Sequence, residues 1–178
     1  MIFKKIFYDI KNLIIYKKNE KKYFRIFFYE NSFIQNHIDP YIYKNKLINK
    51  SLIVSLYPIK DEKLKNFSTI TFNYLFFIEI FFLILKIKYI YSSTPELGFT
   101  AFKKSVFSNS KYIYIQHSTF SLTMIYKKKA FSNFDVVLTN NKFQKKEILE
   151  LNRIYKCNVK SWKNKYLFKG VKNTKKEN

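Results

Sequence analysis

Apolar residues fall in short blocks separated by polar punctuation, and the spacing inside each block sets the first expectations. Residues 1–21 place Ile2, Ile6, Ile10 and Leu13/Ile14 at helical spacing among lysines, which predicts a basic amphipathic lead helix. It would either lie on an anionic membrane surface or pack on the flank of a domain with its lysines facing water. Tyr23-Phe24-Arg25-Ile26-Phe27-Phe28-Tyr29 reads as a strand ending at Glu30-Asn31-Ser32, and Ser51 to Tyr57 as the next strand. The helical segment between them, around Phe33 to Ile48 and divided by Pro40, has the length of a crossover. Lys88-Tyr89-Ile90-Tyr91, Tyr112-Ile113-Tyr114-Ile115 and Val136-Val137-Leu138 are further strand runs. Each stops on a polar cluster: Ser92-Ser93-Thr94, Gln116-His117-Ser118-Thr119 and Thr139-Asn140-Asn141. A helix is predicted from Phe99 to Phe107. Another follows Asn141, with Ile148, Leu151, Ile154 and Tyr155 as its core-facing stripe. Such alternation predicts an α/β fold, a Rossmann-like parallel sheet over residues 22–157, followed by a lysine-rich tail over 158–178.

Phe67 to Leu85 approaches the length of a membrane span with Glu79 as its one charge. A carboxylate at mid-span costs about 2.5–3.5 kcal/mol on insertion scales, and Ser68, Thr69, Thr71 and Asn73 dilute the first half. The solidly apolar part, Tyr74 to Leu85, is therefore expected to be a buried helix, with insertion of 67–85 in a membrane as the alternative.

The chain has 178 residues, room for one domain with a real core. Its formal charge of +22 would attract phosphate polymers, anionic lipid or nucleic acid. Only two of its 34 basic residues, Arg25 and Arg153, are arginine, and Phe, Ile, Tyr and Asn are abundant. An AT-rich coding sequence produces that skew, so the charge is partly a codon effect. The lysines are spread along the whole chain with no nucleic-acid-binding motif, which argues against a specific nucleic-acid partner. Cys157 stands alone, so neither an internal disulfide nor a cysteine metal-ligand pair is expected. Charge interrupts the first apolar residues too early for a signal peptide, placing the chain on the cytoplasmic side.

Candidate chemistry lies at the strand ends. His117 follows a buried run, and imidazole is the side chain best suited to moving a proton near neutral pH. Ser118, Thr119, Ser121, Thr123 and Tyr126 put five hydroxyls within nine residues of one another, a segment suited to sugars, polyols or phosphate oxygens. The structural alternatives are a buried imidazole bonded to a neighbour for His117, and loop capping and packing for Ser118, Ser121 and Tyr126. Thr94 either binds acceptor oxygens or caps the turn before Pro95. His37 is expected on the surface or against the sheet. No Gly-rich turn follows the first strand, so a dinucleotide cofactor site of the usual kind is not expected; with Cys157 alone, no metal site is expected either.

Tyr114-Ile115-Gln116-His117-Ser118, Ser121, Met124-Ile125-Tyr126, Ala130-Phe131, Phe134-Asp135 and Glu147-Ile148 together resemble the amino-terminal half of the CDP-glycerol glycerophosphotransferase family. Tyr91-Ser92-Ser93-Thr94-Pro95-Glu96-Leu97-Gly98 resembles that family's strand ending in a Thr-Pro-acidic-Leu turn. The resemblance spans roughly residues 22–170. It implies one half of a two-domain GT-B-type architecture that transfers glycerol phosphate from CDP-glycerol to a polymer or lipid-linked acceptor in teichoic-acid-type synthesis. It implies His117 as the base, with Ser118, Ser121, Tyr126 and Thr94 at the acceptor, at the inner face of the cell membrane. Two departures stand out. Many members have Trp-His-Gly where this chain has Gln116-His117-Ser118, and members continue into a donor-binding domain beyond the length seen here. Two expectations follow: a separate chain supplies that half, or this chain is a non-catalytic remnant or basic binding module.

Overall fold

The computed structural model describes residues 2–30, 38–43, 47, 49–59, 64, 67–95, 97, 104–105, 108–116, 121–127 and 129–164. The expected strands are present as β1 (Arg25–Tyr29), β2 (Ser51–Ser55), β4 (Tyr89–Ser92), β5 (Lys111–Ile115) and β6 (Val136–Thr139). Two more complete the sheet at its edges, β3 (Ser68–Thr71) and β7 (Lys160–Lys163). All pairings are parallel, in the order β3-β2-β1-β4-β5-β6-β7, an α/β fold compatible with a Rossmann-like sheet.

Side-chain alternation along the strands explains why the central runs are apolar at nearly every position. Ile26, Phe28, Leu52, Val54, Ile90, Tyr112, Tyr114 and Val137 pack on one face. Phe27, Tyr29, Ile53, Ile113, Ile115, Val136 and Leu138 pack on the other, as a sheet covered on both sides requires. The first face is covered by α1 (Ile2–Asn19), α2 (Leu75–Ile84) and α4 (Lys142–Tyr155), which contribute Tyr16, Phe81 and Ile148. Helical residues 38–43 cover the second through Ile38 and Ile42. A four-residue helix, α3 (Leu122–Ile125), lies between β5 and β6.

The apolar segment around residues 74–85 folds as the ten-residue α2, with Ile78, Phe81 and Phe82 buried. Among the described residues no helix is long and apolar enough to cross a membrane. The helix predicted over Phe99–Phe107 falls mostly outside the described residues, as do most of 33–48 and His37. In α4 the stripe is narrower than expected: Ile148 is buried and Leu151 packs against the core, but Ile154 is exposed. Asn141 caps this helix by accepting from Gln144 N at 2.8 Å, and Gln144 Oε1 accepts from Asn140 N at 2.7 Å, a reciprocal cap.

The lead helix lies on the flank of the domain, one of the two expectations, but turns a mostly polar face inward and leaves much of its apolar face outward. Its buried residues are Asp9, Asn12 and Tyr16, while Phe3, Phe7, Ile10 and Ile14 face outward. The cause is backbone satisfaction. Asp9 accepts from Asn73 N, Asn73 Nδ2 and Tyr74 N at 2.8–3.0 Å, supplying from α1 the cap that Tyr74 cannot give α2. Asn12 Nδ2 donates to Thr71 O at 2.7 Å, and Tyr16 OH accepts from Lys86 N at 3.2 Å just beyond the end of α2. The polar face of α1 thus clips both ends of the neighbouring helix.

Burial foremost pushes the Tyr16 and Tyr112 phenols up to about 12. Because their folded values lie above the unfolded value near 10, their contribution to stability is complete below about pH 10 and is lost as pH rises towards 12. Thermal melts followed by circular dichroism are expected to be flat to about pH 9.5 and to fall steeply above pH 10. The Tyr16→Phe/Tyr112→Phe variant is expected to fall less steeply; an unchanged slope would place the alkaline sensitivity elsewhere.

Candidate functional site

The strand order reverses at β1, which has β2 on one side and β4 on the other. In open parallel sheets the crevice outside the carboxyl ends at such a reversal is the usual ligand position. Glu30 follows β1 there, and Ser93 and Thr94 follow β4. Thr94 Oγ1 donates to Glu30 Oε2 at 2.8 Å, closing the crevice with a hydroxyl–carboxylate pair. Thr94 N donates to Ser92 Oγ at 3.0 Å, which fixes the turn before Pro95. Beneath the pair, Phe28, Phe82, Ile90 and Tyr112 border an apolar cavity of about 20 Å³. That is room for one water at most, so any ligand sits above the strand ends.

One strand further, β5 ends at Ile115 and its chain continues into the fully buried Gln116. Gln116 O accepts from Asn140 Nδ2 at 3.2 Å, tying the ends of β5 and β6 together. His117 and Ser118, the next two residues, lie outside the described residues. Their attachment point is nevertheless defined, because β5 pairs with β4 and its carboxyl end adjoins that of the strand leading to Thr94.

Ser121 and Tyr126 sit on the returning loop with partners of their own. Ser121 Oγ accepts from Met124 N at 3.2 Å, capping α3, and donates to Glu147 Oε1. Glu147 also accepts from Leu122 N at 2.9 Å and Thr123 Oγ1 at 3.1 Å. Tyr126 OH accepts from Tyr114 OH at 3.0 Å, and its ring packs against Phe131 with centroids 5.1 Å apart. The surrounding apolar packing and the paired hydroxyl push the buried Tyr114 phenol well above its ordinary value. Among the described residues no hydrogen bond joins Thr94 to Ser121 or Tyr126.

Two residues of this region escape sequence reasoning. Glu30 had a signal, an acidic residue at the end of the first strand where dinucleotide folds place glycine. Glu147 figured only as one position of the resemblance, with no role of its own, since it precedes the buried Ile148 as any solvent-facing helix residue would. Glu147→Ala is expected to cost about 1–2 kcal/mol, the range for losing a cap and its charged hydrogen bonds. It should also raise proteolytic cleavage within 117–127. Denaturant melts and limited proteolysis check this; wild-type cleavage rates would show that Glu147 does not hold the loop.

Among the described residues no group of three or more His, Cys, Asp or Glu could hold a metal ion. Family models, curated proteins and solved structures give no match to this chain. What the crevice can do follows from its own groups. A carboxylate beside a hydroxyl suits the hydroxyls of a polyol, because the carboxylate accepts from them and the threonine oxygen, its proton held by Glu30, accepts as well. It is a poor seat for a phosphate, which Glu30 would repel.

Proposed function

We propose that this chain is the acceptor-side domain of a GT-B-type glycerophosphotransferase, moving glycerol phosphate from CDP-glycerol to a hydroxyl of a phosphate-polymer or lipid-linked acceptor. The observation that supports it most is the Glu30–Thr94 pair at the reversal of the strand order, one strand from the peptide that leads to His117. The acceptor's polyol end would lie on Glu30 and Thr94, and Ser118, Ser121 and Tyr126 are the further hydroxyls assigned to positioning it. His117, as neutral imidazole, takes the proton of the acceptor hydroxyl while that oxygen bonds to the β-phosphorus. The bond from that phosphorus to the oxygen it shares with the CMP portion breaks, and CMP leaves with the electron pair. Charge stabilisation at phosphorus comes from a donor-side domain, supplied by a further chain or segment. The protein works at the cytoplasmic face of the membrane, where its positive charge favours anionic lipid and phosphate polymer.

The test is CMP release from CDP-glycerol with a glycerol-phosphate-primed lipid acceptor, with neighbouring gene products added as the donor half. Acceptor-dependent CMP supports the assignment. Its absence under all additions favours a basic binding module, the reading that the outward apolar face of α1 would then explain.

A further inference from the structure

The outward face of α1 and the cavity beside it are used by none of the chemistry above. Phe3, Phe7, Ile10 and Ile14 follow one another at i, i+4, i+7 and i+11 and are 86, 72, 41 and 51 % exposed, a continuous apolar stripe on the side opposite the buried Asp9, Asn12 and Tyr16. The exposed Lys4, Lys11 and Lys18 border it. Where α1 passes the carboxyl ends of β2 and β3, Lys4, Lys5, Tyr8, Pro58, Thr71 and Asn73 enclose an open cavity of about 380 Å³. Lys4, Lys5 and Tyr8 have no hydrogen bond or ion pair among the described residues. Asp9, the carboxylate next to Tyr8 on the same helix, is fully buried and occupied by Asn73 and Tyr74.

We propose that this cavity binds a phosphate group, and that an anionic phospholipid at a bilayer surface supplies it. Lys4, Lys5 and Tyr8, which line the space, carry two ammonium groups and a phenol hydroxyl as donors, and its volume is large enough for a phosphodiester with its glycerol stem. The apolar stripe decides the source. Helices that lie in the headgroup region combine a lysine-bordered polar side with Phe and Ile reaching the acyl boundary, and a phosphate free in solution has no use for such a stripe. Charge disfavours a second copy as the occupant, since two chains of +22 repel one another. The inference deepens the membrane-side placement proposed above but does not depend on transfer chemistry, because binding is measured without CDP-glycerol.

The full chain is tested by co-sedimentation with vesicles of phosphatidylglycerol mixed into phosphatidylcholine, and with pure phosphatidylcholine. General charge attraction is separated by comparing Lys4→Glu/Lys5→Glu with Lys145→Glu/Lys146→Glu, an equal reversal on the exposed face of α4. The cavity pair is expected to weaken partitioning on the order of tenfold or more, from about 1 kcal/mol per interfacial lysine. The α4 pair should weaken it several-fold less, and Phe3→Ser/Phe7→Ser should also abolish most binding at physiological salt. Equal losses from the two lysine pairs, or unchanged binding of the phenylalanine variant, overturn the proposal. Displacement of the protein from vesicles by millimolar inorganic phosphate would likewise overturn it, by making free phosphate the ligand. Failure of the CMP assay with vesicle binding intact would count against the transferase reading alone.

Discussion

Asp9→Ala is expected to lower the unfolding free energy by about 2–4 kcal/mol, the range for leaving several buried donors without an acceptor. The carboxylate is fully buried and serves three N–H groups, two of them backbone groups at the start of α2. Alanine leaves those groups unpaired beside a helix end whose positive dipole had faced a negative charge. Asn12 and Tyr16 continue the same seam, so the loss propagates along α1. Asp9→Asn, which keeps one acceptor oxygen, should cost about half as much. Urea melts measure the difference, and tryptic cleavage at Lys17 and Lys18 reports whether α1 lifts from the sheet. A change below about 0.5 kcal/mol, the size of an ordinary surface substitution, would mean that α1 is held by its apolar contacts instead.

That seam also shows what a hydropathy pattern can and cannot reveal. The central strands were legible because β1, β2, β5 and β6 are buried along nearly their whole length, and only uninterrupted apolar runs survive that. The edges were not. Ser68-Thr69-Ile70-Thr71 and Lys160-Ser161-Trp162-Lys163 carry the polar and charged residues that edge strands use against unwanted pairing, so the latter reads as a tail. What holds α1 to the domain was hidden for a related reason. Periodicity detects the spacing of Ile2, Ile6, Ile10 and Leu13/Ile14, whereas the unpaired backbone groups of the β3–α2 turn, which draw Asp9 inward, are visible only once the turn exists. At the candidate site, Thr94 was legible as the end of an apolar run. Its partner Glu30 comes from a strand 64 residues earlier, and only the parallel pairing of β1 with β4 brings the two together.

The largest effect on activity is expected from His117→Ala. General-base assistance is worth about 10²- to 10⁴-fold, and no described side chain near the end of β5 is a substitute: Gln116 does not titrate, and Glu30 belongs to the strand beyond β4. The loss should fall on the chemical step, with kcat reduced and the acceptor KM little changed. Thr94→Val should instead raise the acceptor KM, because it removes the hydroxyl proposed to bind the acceptor. His117→Ala is not expected to shift the urea midpoint by more than an ordinary surface change, which separates a missing base from a misfolded loop.

The central claim is that the strand ends of β1, β4 and β5 form an acceptor crevice served by His117. Acceptor-dependent CMP release by wild type and His117→Ala, at matched folded fraction, tests it most directly. The account predicts release by wild type and a drop of about 10²-fold or more in the variant; equal release by both would contradict it.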